Sequence, residues 1–436
     1  MKKWVSIVLV LFLSFTILFW VDKILCFKYE DGVLPMRDLY AQKEDTVDVF
    51  FLGTSHIGRN VSAAMLYRDY GISSYGLWGS EQSLETTYYW MKEALKNQSP
   101  KVVVIDLFDV LFHKPDNNYS RQVKNTIGMR FSKNKLEMIQ NTVFEEHKLN
   151  LLLGFPTYHS RFDDIKKGDF DNLFPNRNHK NTYVDEAVYP YEVQRFPTTQ
   201  EKKIDKKIEK QLLKMINLAK SENTEVLFTI LPYIEGSYEN QAVWNYVERF
   251  SEEHGAKFLN YFKYLDEIRF DETTDMLDGG GAHLNYGGVE KTSYLMGKYL
   301  KEHYQLENHQ GDKDYESWEV FSKNEEKVHI QKTTDFGTYM KALNVPGIES
   351  DIVIQNINEE QKKLLKEMYQ VSVNETPMIL SISNNKIKEI DMEKQDRIKI
   401  SNHEIRYQKE KTWKNKGIAV FVRDKNTNKL IDSKAF

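Results

Sequence analysis

Between Thr46 and about Gln305, short apolar runs alternate with stretches whose apolar residues recur at helical spacing. The runs are Val47–Leu52, Gly71–Gly79, Pro100–Asp106, Glu225–Pro232 and Ala256–Asn260. Helices are predicted over Leu84–Asn97, Ile204–Ala219, Gln241–Gly255 and Lys291–His303. A strand that is apolar on both faces must be covered on both. Strands alternating with helices therefore predict a parallel sheet between two helical layers.

The first run ends in Gly53-Thr-Ser55. Gly53 lets the backbone turn sharply, and a serine two residues on sits at the carboxyl end of a strand. α/β enzymes place nucleophiles there. A Ser or Thr at such a turn also caps helices, so the position alone does not decide. The second informative stretch is Asp278-Gly-Gly-Gly-Ala-His283-Leu-Asn285, just before the last predicted helix. A histidine near its ordinary pKa of ~6.5 can take a proton from a serine and return it to a leaving group. A carboxylate beside it would fix its tautomer.

Ahead of this unit, Met1-Lys-Lys-Trp4 precedes an apolar run from Val5 to Val21. As a helix it reaches roughly 26 Å, close to the ~30 Å hydrocarbon core. Trp4 and Trp20 stand at its ends, as interfacial aromatics do. No small-x-small cleavage site follows, so an uncleaved anchor is expected over residues 1–27. Lys2 and Lys3 favour a cytoplasmic N-terminus with the remainder outside the membrane. The mean hydropathy of -0.58 fits one apolar segment on a polar protein.

The chain's 436 residues exceed one ordinary domain. Its formal net charge of -4 gives no sign of a nucleic-acid partner. The single cysteine, Cys26, excludes an internal disulfide and a cysteine-built metal site. Between about 112 and 199 the strand–helix rhythm breaks. Residues 134–153 look helical, and the rest is rich in Tyr, Asn, His, Phe and Pro, which suits sugar faces and hydroxyls but also an ordinary insertion. Residues 306–330 are charged and read as a linker. Beyond them, Ser350–Ile354, Met378–Ile382 and Ile418–Val422 are predicted strands and Asn358–Tyr369 a helix, making a small α+β domain over 331–436.

In their order along the chain, Gly53-Thr-Ser55, Gly79 and Asp278…His283-Leu-Asn285 resemble the SGNH (GDSL-type) hydrolase superfamily. Phe50–His56, Gln82 with Tyr88-Tyr89, and Tyr158-His-Ser-Arg161 resemble its membrane-anchored branch, which works beside membrane-bound O-acyltransferases. The D-alanine transfer protein of teichoic-acid modification and the alginate acetylation proteins belong to that branch. The resemblance covers about residues 45–305. It implies a flavodoxin-like three-layer α/β/α sandwich with Ser55 as nucleophile, His283 as base and Asp278 as its orienter. The backbone N–H groups of Ser55 and Gly79 would stabilise the oxyanion. No cofactor and no metal is implied. Substrate contacts are expected from Arg59, Gln82, Asp109, His159, Arg161 and Asn285, and His56 is expected to be structural or a substrate contact.

Two positions depart from the pattern. The Asp usually lies three residues before the His, and here it lies five before. An Asn usually follows the strand at 102–106, and here Asp106-Leu-Phe-Asp109 does; an ionised carboxylate cannot donate to an oxyanion. Farther on, Thr334–Tyr339, Lys416–Asp424 and Leu430–Phe436 resemble the interleukin-like EMT inducer (ILEI, or PANDER-like) domain, some members of which bind carbohydrate. Together these expectations describe a single-pass protein of a bacterial cell membrane. It would carry an acyl group, acetyl above others, from a membrane-bound O-acyltransferase to a surface polysaccharide or teichoic-acid-like acceptor. An esterase of the same fold and a non-catalytic, membrane-tethered glycan-binding protein are the alternatives.

Overall fold

The computed structural model describes residues 2–112, 118–192, 195–234, 236–345, 347–383, 386–391, 395, 397–400, 405–408, 411–413 and 417–436. Residues 113–117 and 193–194 of the expected insertion, and Lys416 of the ILEI-like motif, lie outside them. The chain divides into two compact units, Met1–Ser322 and Lys323–Phe436.

The first unit is built on five parallel strands: β1 (Val49–Gly53), β2 (Ser74–Trp78), β3 (Val102–Asp106), β4 (Glu225–Ile230) and β5 (Lys257–Asn260). Their order is β2-β1-β3-β4-β5, the flavodoxin-like doubly wound arrangement. Successive residues of a strand point to opposite faces, and here both faces are apolar. Phe50, Leu52, Val103, Ile105 and Phe228 enter one core, with Trp90, Met215 and Trp244 from the helices Leu84–Ala94, Lys206–Ser221 and Tyr238–Glu253. Val49, Phe51, Val102, Val104 and Leu259 enter the other, with Ile57, Leu66 and Met296 from the helices Ser55–Asn60, Ala63–Tyr70 and Tyr286–His303. Each such side chain, fully buried, contributes roughly 1.5–3 kcal/mol. The α/β/α sandwich expected from the sequence pattern is the observed fold.

Boundaries differ where caps act. The last helix starts at Tyr286 rather than Lys291, because the Asn285 side chain accepts from the Gly288 N–H and caps it. The helix expected over 134–153 is broken into Lys133–Thr142 and Lys148–Leu153, with Val143 leaving the helix in extended backbone.

The linker expected over 306–330 is largely helix. Glu316–Lys332 is one continuous helix, and the division between the units falls inside it. Trp318 is buried in the first unit and donates its indole N–H to the Ser74 carbonyl at 2.9 Å. Ile330 is buried in the core of the second unit with Tyr339 and Val420. These are widely spaced apolar residues among charges, and a composition reading passes over them.

The second unit has a five-stranded antiparallel sheet with Ile348–Ile354, Met378–Ser383 and Ile418–Asp424 at its centre. The helix Glu359–Tyr369 buries Leu365 in its core. It is an α+β unit, as expected.

At the N-terminus, Lys2–Leu25 is one helix. Its Trp4–Leu25 portion is long and apolar enough to cross a membrane, with a mean hydropathy of 2.5 over its most apolar window. Its C-terminal end is built into the first unit. Lys28 Nζ reaches the carbonyls of Lys23 (2.6 Å) and Ile24 (3.0 Å), and Arg161 donates to Leu25 O at 2.6 Å. These cations occupy the carbonyls that a helix C-terminus leaves unpaired.

Candidate active site

Strand β1 delivers Ser55, the expected nucleophile. Gly53 has φ 141, a conformation that favours glycine, and a Cβ there would meet Asp106 Cβ at 3.1 Å. Thr54 then caps the six-residue helix Ser55–Asn60 by accepting from the His56 N–H at 3.1 Å. The capping reading of this turn and the nucleophile reading are thus both accommodated, Thr54 taking the first and leaving Ser55 free. Gly58 lies flat against the Trp78 indole: an added Cβ would fall 2.0 Å from it. That contact lets the short helix settle on β2.

The histidine comes from a tight loop. Met276 and Leu284 pair in antiparallel fashion, and the Leu277 N–H donates to His283 O at 2.9 Å. Asp278 and His283 therefore face one another across the mouth of the loop. Gly281 turns it with φ 64, and the Gly280 N–H donates to Asp278 Oδ1 at 3.1 Å. The five-residue spacing is what such a hairpin needs, so the departure from the usual spacing leaves the geometry intact. His283 Nδ1 lies 2.5 Å from Asp278 Oδ2, and His283 Nε2 lies 2.9 Å from Ser55 Oγ.

No family model matches the sequence, and no curated protein matches it. Among solved structures, the chain is similar to a Bacteroides fragilis protein assigned as an acylhydrolase. The identity is 12%, over 62% of this chain and 94% of that one, with a TM-score of 0.31. It is also similar to a GDSL-like lipase of Bacteroides thetaiotaomicron, at 13% identity over 61% and 94%, with a TM-score of 0.29.

Burial lowers the pKa of His283 below its ordinary value; Asp278 raises it, and electrostatic interaction with His56 and with the Arg59 guanidinium lowers it further. A neutral imidazole donates Nδ1–H to Asp278 and offers Nε2 to the Ser55 hydroxyl, the pairing that general-base catalysis requires.

Asn60, which the sequence reading missed, holds this loop from both sides. Its Oδ1 accepts from the Leu284 N–H (2.9 Å), and its Nδ2 donates to Ala282 O (2.8 Å). The two bonds flank His283. The signal was available in principle: Asn60 is a polar residue at the end of a predicted turn–helix, but nothing local shows what it reaches 224 positions away.

Arg59 sits one helical turn after Ser55, half-buried, on the same side of the helix. Among the described residues it has no hydrogen-bond or ion-pair partner. It remains a candidate substrate contact. The segment after Asn181 also borders the site. Tyr183 N–H donates to Gly58 O at 3.0 Å, Tyr191 Oη donates to Asp278 O at 2.9 Å, and a Cβ at Gly279 would lie 3.5 Å from the Tyr189 ring. Tyr189 is 50% exposed, which leaves an aromatic face open beside the triad.

Several expected roles are corrected. The Gly79 N–H donates to Gly53 O at 3.2 Å, because the β1–β2 ladder continues one residue past Trp78. It is therefore engaged, whereas the Ser55 N–H stands free at the helix N-terminus among the described residues. Glycine at 79 serves close packing: a Cβ would fall 1.9 Å from Asn125 Oδ1. His56 is buried, with Nδ1 3.0 Å from Asp106 Oδ1 and Nε2 3.2 Å from Pro232 O, so it is structural and touches no substrate. Asp106 is thereby committed to His56, and Asp109 accepts from the Leu84 N–H at 3.2 Å, capping a helix. Gln82 is buried and donates to Thr87 Oγ1 at 3.0 Å. Asn285 is a helix cap that also donates to Thr274 O at 2.7 Å. His159 Nδ1 lies 2.9 Å from Pro156 O, and Arg161 lies at the C-terminal end of the N-terminal helix, where it binds Leu25 O, Cys26 O and Asp169.

Proposed function

We propose that the protein is a membrane-anchored serine O-acyltransferase working on the outer side of a bacterial cell membrane. Its acyl group, acetyl above others, goes to a hydroxyl of a surface polysaccharide or teichoic-acid-like polymer. The observation that carries this reading is the continuous chain Asp278–His283–Ser55, at 2.5 and 2.9 Å. Ser55 Oγ attacks the donor's acyl carbonyl, and His283 Nε2 takes the hydroxyl proton. That proton passes to the leaving group as the donor's bond to the acyl carbon breaks. The acceptor hydroxyl then attacks the Ser55 ester and gives its proton to His283, which returns it to Ser55 Oγ as the bond between Oγ and the acyl carbon breaks. A covalent intermediate divides one acyl transfer into two easier steps. The Ser55 N–H, at a helix N-terminus, supports the developing oxyanion. A membrane-bound O-acyltransferase partner supplies the acyl group. The exposed Tyr189 ring beside the triad suits the face of a sugar. The apolar helix Trp4–Leu25 supports anchoring, and Lys2 and Lys3 support a cytoplasmic N-terminus. The ILEI-like unit over 331–436 is read as a holder of the glycan chain.

Replacing Ser55 with Ala should abolish O-acylation of the surface polymer while the protein stays folded and in the membrane. Unchanged acylation in that variant would refute catalysis by Ser55. Release of free acetate from an ester substrate, with no transfer to glycan, would assign an esterase instead. Loss of glycan-array binding on truncation after Ser322 tests the second unit.

A further inference from the structure

The insertion carries large apolar side chains that its own fold leaves uncovered. Leu149, Leu153, Phe155, Phe162, Phe170 and Phe174 are between 37% and 65% exposed. They are not scattered singly. Leu149 and Leu153 are one turn apart on the helix Lys148–Leu153 and share a face. Of the other four, Phe155 and Phe174 make ring contacts that lead to the C-terminal end of the N-terminal helix, and Phe162 and Phe170 adjoin in sequence two residues of the contact network there. The Phe155 ring lies 5.9 Å from that of Tyr158, whose hydroxyl bonds Asp22. Phe162 follows Arg161, which holds the Leu25 and Cys26 carbonyls. Phe170 follows Asp169, the carboxylate that pairs with Arg161 at 3.0 Å. The Phe174 ring meets the Trp20 ring at 5.9 Å. The buried part of the same segment is built on the chain leaving that helix, with Phe27 and Tyr29 packed on Val123, Val143 and Leu151.

We infer that residues 144–174 form a collar seated in the lipid bilayer around the point where the helix emerges. Uncovered apolar area of this kind marks a surface that something covers. Here it is continuous with a helix whose own apolar surface requires lipid, and Trp20 bridges the two. The collar's occupant is therefore the acyl-chain and headgroup boundary. Charges of both signs lie between the apolar residues and pair locally, as Lys148 with Glu145 at 2.6 Å and Lys166 with Asp164 at 3.4 Å. Attraction is thus apolar, and anionic lipid is not required. The seat presupposes the membrane span proposed above. It would hold the catalytic unit close to the membrane surface at a fixed tilt, where a single helix alone would leave it free to swing.

The test uses the full chain with Cys26→Ser and single Leu153→Cys, Phe162→Cys or Phe170→Cys replacements carrying an environment-sensitive fluorophore. A Glu222→Cys label on a distant exposed helix end serves as control. The chains are reconstituted in phosphatidylcholine vesicles with brominated acyl chains. Quenching at the three collar positions and none at 222 is expected, unchanged when phosphatidylglycerol is added. Integration is read separately by alkaline extraction. An integrated chain whose collar labels stay unquenched and open to aqueous iodide overturns the seat while leaving the span. Labels shielded from iodide yet unquenched by bromine also overturn it, because a protein surface then covers the patch. Alkaline release of the chain overturns the span and the seat together.

Discussion

Removing the Asn60 side chain should cost catalysis more than it costs folding. Asn60 is fully buried, and its amide makes two bonds to the loop that carries His283. In Asn60→Ala the Leu284 N–H loses its acceptor at a residue with no exposure, a penalty of about 1–3 kcal/mol. The Ala282 carbonyl is half-buried and can turn to water, adding at most about 1 kcal/mol. Stability should fall by about 2–4 kcal/mol in all. Without either bond the loop keeps its Leu277–His283, Ile234–Gly281 and Asn285–Asp275 backbone bonds and the Tyr191 hydroxyl on Asp278 O, but the Ala282–Leu284 stretch that bears the imidazole loses its backbone tie to the helix that bears Ser55. A displacement of the imidazole by about 1 Å costs on the order of 10²-fold in rate. The assay is the second-order rate of Ser55 phosphonylation by a fluorophosphonate, with thermal unfolding measured in parallel on the full chain in detergent. Thr292→Val supplies the control. It breaks the 2.5 Å bond from Thr292 Oγ1 to the Asn60 carbonyl without touching the loop, so it should lower the melting temperature and leave the rate unchanged. If Asn60→Ala is destabilised but labels at the wild-type rate, Asn60 does not position the base.

Three further outcomes follow from the same geometry. Reaction at Ser55 needs neutral His283, whose pKa lies below its ordinary value, so the wild-type rate should fall only as pH drops below ~6.5. Asp278→Asn removes the group that raises that pKa, so it should move the acid limb to still lower pH and reduce the plateau by on the order of 10⁴-fold. Arg59→Gln should shift the limb the other way, toward ~6.5, because it removes a charge that lowers the pKa; an unmoved profile would show that Arg59 does not face the imidazole. Gly58→Ala drives a methyl group into the fully buried Trp78 indole and should destabilise by about 1–3 kcal/mol or more, read as a drop in melting temperature.

The sheet was readable because its strands are apolar on both faces and its helices keep their period; those are local signals. Ser55 and His283 were readable for a related reason, since glycines mark the turns that bear them. What the glycine at 79 does was not readable. Its amide belongs to the ladder because the pairing with β1 continues one residue past Trp78, and hydrogen-bond register is set by the neighbouring strand. His56 shows the same limit. A histidine beside a nucleophile can be structural or touch substrate, and the partners that decide for the first, Asp106 and Pro232, arrive from two other strand ends. Arg161 was displaced furthest from its expected role, because the insertion folds onto the chain leaving the N-terminal helix and not entirely onto the catalytic loops. The helix Glu316–Lys332 escaped notice because its anchors are few and each is satisfied by a tertiary partner, Trp318 by Ser74 foremost.

The helix Ser55–Asn60 is only six residues long, yet it begins with the proposed nucleophile and ends with the residue that clamps the loop of its proposed base. Thermal shifts of that helix against the sheet therefore carry both reactants along as a common displacement. The 2.9 Å separation that governs proton transfer is a difference between two points on one small rigid body and the loop tied to it. Motion of the surrounding scaffold largely cancels from it. On the proposed function, a catalytic unit tethered to a fluctuating membrane would in this way tolerate large excursions of its frame while Ser55 and His283 stay in register.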